Sequence, residues 1–350
     1  MRVLAGDIGG TKTAIATIEI GAGRCRILRA ERYPSAEYGT LEEILAKFLS
    51  SEKRLPAAAG FGVAGPVRDG KSRITNLPWR LDARQLSRRI GIRRVTLVND
   101  FGANARGLRY LGPRQVATLW RGRPEAGGPI AILGAGTGLG QAGVLLIGRG
   151  DVVVASEAGH VDFGPRTPLE GRLVDFLRER FGRATRERIL SGSGLELIYE
   201  FLAAEGVARP GRAVTAELAA AEDRAAVISR LGLERRDRLS WAALDLFVSI
   251  YGSETGNTAL QYRATGGVYV AGGIAPKILP ALKRPAFLRA LQDKPPMREL
   301  IAGIPVRVVL DSNLGLYGAA AAGADEREPA PSLGIDRSSA RRPRPRGRPR

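Results

Sequence analysis

The stretch Gly6-Asp7-Ile8-Gly9-Gly10-Thr11-Lys12-Thr13 decides the fold, because a second glycine turn, Gly134-Ala135-Gly136-Thr137-Gly138-Leu139-Gly140, repeats its form later in the chain. Each copy follows an apolar run (residues 3–5 and 130–133) and precedes another (14–20 and 144–147). Both therefore predict strand, glycine turn, strand: a β-hairpin whose tip is mostly backbone. Glycines let several N–H groups point at one anion, the way a backbone cradles phosphate. Two such tips, each with a Gly-Thr pair and one with an acid, suggest two half-domains closing on one nucleotide.

Working outward, the order of elements predicts an α/β fold with two related halves. A helix is expected over 41–50, a strand over 57–63, a helix near 82–90 and a strand over 95–98 ending on Asn99-Asp100. After the second hairpin and a return strand at 152–155, helical periodicity dominates from 169 to about 264. Strands at 268–271 and 306–310 follow, the first ending in Gly272-Gly273, with a terminal helix from about 314. Past Gly323 the composition turns to Pro, Ser and Arg, and residues 324–350 are expected to be a disordered basic tail.

Bulk composition narrows the function classes. The 350 residues allow two domains with cores, and 44% hydrophobic content fits a globular chain. A single cysteine, Cys25, excludes an internal disulfide framework and any four-cysteine zinc site. Asp7 interrupts the first apolar run, so no secretory signal is expected. Residues 126–148 carry no charge, but eight of them are glycine, so a spanning helix is not expected there and a cytoplasmic location is. The net charge of +19 comes from 54 basic residues, of which only seven are lysine. An arginine skew of this kind is a composition bias as much as a binding surface. No aromatic-interleaved or helix-turn-helix pattern accompanies it, so specific nucleic-acid recognition is not expected.

Two nucleotide motifs fail on inspection. A phosphate loop of the Walker type needs glycine before its Lys-Ser/Thr pair, yet Thr11 precedes Lys12. The spacing from Gly138 to Gly143 matches the dinucleotide fingerprint, but it leads into a strand rather than a helix, which disfavours hydride transfer. Asp7, at a strand end beside phosphate-admitting glycines, suits a water-mediated magnesium contact; a turn aspartate capping its own backbone is the plainer alternative. Asp100 comes off an apolar strand, where an aspartate can accept a proton from an attacking hydroxyl; here an Asx turn is the alternative. Glu157-Ala158-Gly159-His160 holds the one histidine, placing a carboxylate acceptor and an imidazole donor close enough to serve neighbouring hydroxyls. No Gly-x-Ser-x-Gly elbow occurs, so a serine triad is not indicated.

Taken in order, the blocks GDIGGTKT at 6, TNLPW at 75, NDF at 99, GAGTGLG at 134, EAGHVDFGP at 157, ERILSGSGL at 187 and AGGI at 271 resemble the bacterial ATP-dependent glucokinase family, within the hexokinase and actin-like ATPase superfamily. The closing segment IPVRVVLDSNLGLYGAA is similar as well. The resemblance implies a two-domain actin-like ATPase (ribonuclease H-like) fold with a sugar and nucleotide cleft between the domains. The smaller domain would comprise residues 1–110 completed by 301–323, and the larger 111–300. It further implies transfer of the γ-phosphoryl group of ATP, with Mg2+, to the 6-hydroxyl of D-glucose. Asp100 would be the general base, with Asn99 beside it and Asn76, Glu157, His160 and Glu187 among the sugar-binding residues. Gly6, Asp7, Ile8, Gly9, Gly10 and Thr11, with Gly136, Thr137 and Gly138, would hold the ATP phosphates. Gly272 and Gly273 would flank the adenosine, and Asp7 would organise magnesium through water. A homodimer is implied on the same ground.

Neighbouring readings are a broader or polyphosphate-using hexokinase and a sugar sensor without turnover; a sensor has no need of a base at Asp100. Related sugar kinases and repressors carry a cysteine zinc cluster, which one cysteine cannot build. No DNA-binding domain is expected before a phosphate motif that begins at residue 6.

Overall fold

The computed structural model of the chain describes residues 1–21, 23–74, 77–147 and 150–325. Asn76 and the tail from residue 326 onward lie outside the described residues. The chain opens with β1 (Arg2–Ile8), β2 (Lys12–Gly21), β3 (Arg24–Pro34), α1 (Leu41–Leu49) and β4 (Ala58–Val63). A small sheet of β5 (Val67–Arg68), β6 (Lys71–Arg73) and β7 (Arg80–Asp82) leads into α2 (Ala83–Ile90), β8 (Val95–Asn99) and α3 (Asp100–Gly107). Next come β9 (Val116–Trp120), β10 (Ile130–Ala135), β11 (Leu139–Ile147) and β12 (Gly150–Ser156). Helices α4 (Pro168–Phe181), α5 (Arg186–Ile189), α6 (Gly192–Ala204), α7 (Arg212–Ala220), α8 (Arg224–Leu233) and α9 (Arg238–Gln261) follow. The fold closes with β13 (Gly267–Ala271), α10 (Leu279–Leu282), α11 (Pro285–Gln292), α12 (Arg298–Gly303), β14 (Val306–Val309) and α13 (Leu314–Ala324).

Local sequence explains the elements. In α1, Leu41, Ile44, Leu45 and Phe48 recur at helical spacing and are buried. Thr40 caps that helix by accepting from the Glu43 N–H, and Glu43 reaches back to the Gly39 N–H. Strand β4 is buried along its whole length, as a parallel strand covered on both faces must be. Both glycine turns are antiparallel hairpins, β1 with β2 and β10 with β11. The uncharged stretch 126–148 thus supplies strands, and among the described residues no helix is long and apolar enough to cross a membrane.

The sheet orders make the repeat plain. One sheet runs β3-β2-β1-β4-β8 and the other β12-β11-β10-β13-β14-β9. In each, an antiparallel three-strand meander is extended by two parallel strands, β4 and β8 in one and β13 and β14 in the other. One face of the first sheet packs on α1 and α2 around Phe48, Phe61 and Trp79; the other packs on α13 through Ala16, Ile18, Leu316 and Ala320. The second sheet is covered by the helical segment, with Phe201, Phe247 and Tyr251 fully or almost fully buried. Each such large side chain contributes roughly 1.5–3 kcal/mol by leaving water.

The helices that follow the last parallel strand of each half, α3 and α13, pack on one another between the sheets. A Cβ on Gly318 of α13 would lie 1.6 Å from the Ala103 carbonyl oxygen of α3, so only glycine permits this approach. Residues 306–309, expected with the first unit, pair instead with β13 and β9 in the second sheet; only α13 returns to the first. The exchange follows from strand pairing, which a run of apolar residues alone does not specify. The last helix ends at Ala324, one residue into the segment expected to lie outside the fold.

Candidate active site

Strand ends bring the predicted residues together. Ligands of open parallel sheets sit beyond the carboxyl ends of the strands, and β1, β8, β10 and β13 end on Ile8, Asn99, Ala135 and Ala271. Thr11 and Thr137 are exposed at the two hairpin tips, with Gly9, Gly10, Gly136 and Gly138 half-buried beside them. Gly6 and Ile8, by contrast, are buried within β1 and hold the turn rather than present it. The first turn is tied down by Ser35, which donates to the Gly9 carbonyl at 2.8 Å and lies 2.9 Å from the Thr13 hydroxyl. Sequence reading missed Ser35, which approaches the turn only once β3 has paired with β2.

The second turn is built from several elements. The Gly192 N–H, in the first turn of α6, donates to the Gly136 carbonyl at 2.9 Å. Gly272 has φ +82, and a Cβ there would sit 2.4 Å from the Ala135 carbonyl oxygen. That left-handed conformation and close approach both demand glycine. Gly272 and Gly273 are exposed next to the hairpin tip.

Asp7 is half-buried at the end of β1, in register across the sheet with Ala14 of β2 and, beyond it, Arg32 of β3. Loss of water raises its carboxyl to about 6, and Arg32 opposes the rise. Arg32 is itself held by Ser312 at 3.2 Å and Asn313 at 3.1 Å, ahead of α13. Asp100, the first residue of α3, is also raised to about 6: desolvation is the largest cause, the Phe101 N–H lowers it, and the charges of Asp7 and Glu157 raise it again. Its Oδ1 accepts from that Phe101 N–H at 2.8 Å, so the Asx-type contact exists.

Asn99 is a working cap. Its Oδ1 accepts from the Gly102 N–H at 3.0 Å and its Nδ2 donates to the Gly65 carbonyl at 3.3 Å. Among the described residues, one amide hydrogen and one lone pair are left for a ligand. Asn99 and Glu157 line a cavity of about 460 Å³ between β8 with α3 and β12, together with Pro66, Arg106, Val153 and Ser156. That volume is in the range of small-molecule sites, about 300–1,000 Å³.

Within the block, the His160 N–H donates to the Glu157 carbonyl at 3.0 Å. The imidazole Nδ1 faces Glu187 Oε1 at 3.8 Å. Glu187 Oε2 accepts from the Leu139 N–H at 2.9 Å, and it crowds Gly138, where a Cβ would lie 2.4 Å away. One carboxylate therefore joins the histidine block to the second glycine turn. Its spacing from either gave no signal of that contact.

Donor chemistry fits magnesium at Asp7. Among the described residues no cluster of three acidic, histidine or cysteine side chains could hold a metal. A lone carboxylate at a glycine turn suits Mg2+, which keeps several waters and takes one or two protein carboxylates plus phosphate oxygens.

The glucokinase family model matches residues 4–326. A curated relative, a glucokinase of Synechocystis sp., is 40% identical over 341 residues, covering 91% of this chain and 96% of its own. Among solved structures, the glucokinase of an Antarctic psychrotroph is 30% identical with a TM-score of 0.79, covering 91% of this chain and 98% of that one. A glucokinase of the ROK family from Streptomyces griseus, in complex with glucose and AMPPNP, is 23% identical with a TM-score of 0.62 over 92% of this chain and 99% of its own, and shares the fold. The two-sheet arrangement is the two-domain actin-like ATPase fold of these kinases, and the chain belongs to the glucokinase family.

Proposed function

We propose that this chain is an ATP-dependent glucose kinase: it transfers the γ-phosphoryl group of ATP to the 6-hydroxyl of D-glucose, giving glucose 6-phosphate and ADP. The observation that supports it most is the 40% identity to a glucokinase over 91% of the chain, joined to the approach of His160, Glu187 and the second glycine turn. Asp100 takes the proton of the sugar 6-hydroxyl as that oxygen bonds to phosphorus and the bond to the ADP oxygen breaks. Burial raises its proton affinity toward the operating range, which favours general-base work. Asn99, Glu157, His160 and Glu187 hold the remaining hydroxyls, so an analogue lacking one leaves a partner unpaired.

Both glycine turns offer backbone N–H groups to the phosphates, and α6 directs its positive end at the second. Gly272 and Gly273 leave room for the adenosine. Magnesium, when bound near Asp7, neutralises charge on the β- and γ-phosphates. The units that close on the substrates are residues 1–110 with α13, and the intervening chain with β14. Closure excludes water, the competing phosphoryl acceptor. A cytoplasmic homodimer belongs to the same reading, and light scattering tests the assembly.

Sugar-phosphate formation from D-glucose and MgATP, with mannose, N-acetylglucosamine and polyphosphate alongside, tests the proposal. D-glucose with ATP should give the highest kcat/KM. No turnover with that pair, or faster turnover with polyphosphate, would overturn it.

A further inference from the structure

One face of α9 reaches both halves of the site from below. The helix packs against β10 and β13, and Tyr251 and Glu254 lie three residues apart on it, hence on one side. Tyr251 is fully buried. Its hydroxyl accepts from the Ala135 N–H at 3.0 Å and donates to the Ala271 carbonyl at 3.4 Å. Those two residues are the last of β10 and β13, and each immediately precedes a glycine turn, Gly136–Gly138 and Gly272-Gly273. A single phenol thus spans the two strand ends that carry the nucleotide turns.

One helical turn further on, Glu254 does the same for the sugar side. It is 4% exposed, and its Oε1 accepts from Arg186 Nη1 at 2.7 Å and from Gln141 Nε2 at 2.6 Å, while Oε2 accepts from Asn257 at 3.0 Å. Arg186 is the residue before Glu187, and Gln141 lies two residues beyond Leu139. Glu187 and Leu139 are themselves hydrogen-bonded. Both ends of that contact are therefore anchored to one buried carboxylate. The Arg186 N–H also donates to the Val161 carbonyl at 3.0 Å, so the anchor extends to the residue after His160.

We infer that Tyr251 and Glu254 are separate positioning residues, Tyr251 for the nucleotide turns and Glu254 for the Glu187–His160 sugar contacts. Neither is within the site, and each acts through the backbone or side chains it holds. A buried ion pair is weak evidence of net stability, because desolvation offsets the attraction; its value here is geometric. The assignment of sides rests on the glucose-kinase reading, whereas the anchoring itself does not.

The test is a crossed comparison of Tyr251→Phe and Glu254→Gln in the full chain. Tyr251→Phe should raise KM for ATP about threefold to tenfold, the size of one lost hydrogen bond, and leave KM for glucose within about twofold. Glu254→Gln should do the reverse. Where Glu254→Gln leaves Arg186 unpaired and the protein fails to fold, the double variant Arg186→Met, Glu254→Met removes both charges at similar volume and must still raise KM for glucose alone. Both constants moving together, or neither moving, overturns the inference. Residue-resolved hydrogen exchange reads the anchors without any assay. Exchange should quicken at the Ala135 amide in Tyr251→Phe and at the Leu139 amide in Glu254→Gln, and exchange unchanged at both contradicts the anchoring. A wild type that exchanges as described but phosphorylates no hexose would instead sink the functional reading.

Discussion

Asp100 stands where desolvation and the charges of Asp7 and Glu157 all oppose its ionisation, and one backbone N–H favours it. With its pKa at about 6, it is still ionised roughly ten to one at pH 7, the form in which it would act as the proposed base. Lowering the pH through that value protonates it and removes the base, earlier than for an ordinary carboxylate. The acid limb of kcat/KM should therefore fall near pH 6, drawn somewhat lower where magnesium screens Asp7, and a pH–rate profile that stays flat down to pH 4.5 would contradict this. Glu157 offers a second test at this scale. Glu157→Gln removes a charged acceptor at nearly constant volume, which should weaken glucose binding by about tenfold or more in calorimetry. Unchanged affinity would remove Glu157 from the sugar site. Asp7, Asp100 and Glu157 were legible as acids at or near the ends of apolar runs, whereas Glu187 reads alone as a solvated helix charge and was legible only through the resemblance of its ERILSGSGL block. Their partners were not: His160 meets Glu187 and Asn99 caps α3, contacts made across the fold or into a helix start that the chain order conceals.

At the level of elements, the two hairpins were readable because glycine turns between apolar strands have few other solutions. The strands 58–63, 95–99 and 267–271 and the helices 41–49 and 83–90 likewise follow from apolar period and caps. Sheet membership was not readable: β14 is a short apolar run that suits either sheet, and pairing with β13 and β9 decides it. Nor did α9 announce Tyr251 and Glu254, since its buried face reads as ordinary core. The α3–α13 crossing gives the prediction proper to this scale. Gly318→Ala would drive a methyl into the Ala103 carbonyl, and neither backbone can retreat, so destabilisation of about 3 kcal/mol and a fall in Tm of about 4 °C is expected. Gly171→Ala is the control: it lies within α4 with nothing within 4 Å of the added carbon, and it should hold or slightly raise Tm. Equal Tm values in the two variants would mean that the crossing tolerates separation.

For the whole molecule, two sheets of like order carry two glycine turns, and the acid-bearing helix α3 lies between them. This arrangement suits phosphoryl transfer, which asks a protein chiefly to position the reactants and to place charge. On the proposed reading, the first sheet and α3 contribute Asp7, Asn99 and Asp100, while the second contributes the other glycine turn, Gly272-Gly273 and the sugar-side pair of His160, after β12, and Glu187, in α5. No half holds a complete site, so closure of one on the other would gate the reaction. The most direct test is Asp100→Asn. Steady-state phosphorylation of D-glucose by MgATP and glucose binding by calorimetry would be measured on the variant and the wild type together. A loss of about 10²–10⁴ in kcat with glucose Kd changed by less than about threefold is the predicted result. A variant that keeps a tenth or more of the wild-type rate would contradict Asp100 as the base and, with it, the mechanism assigned to this site.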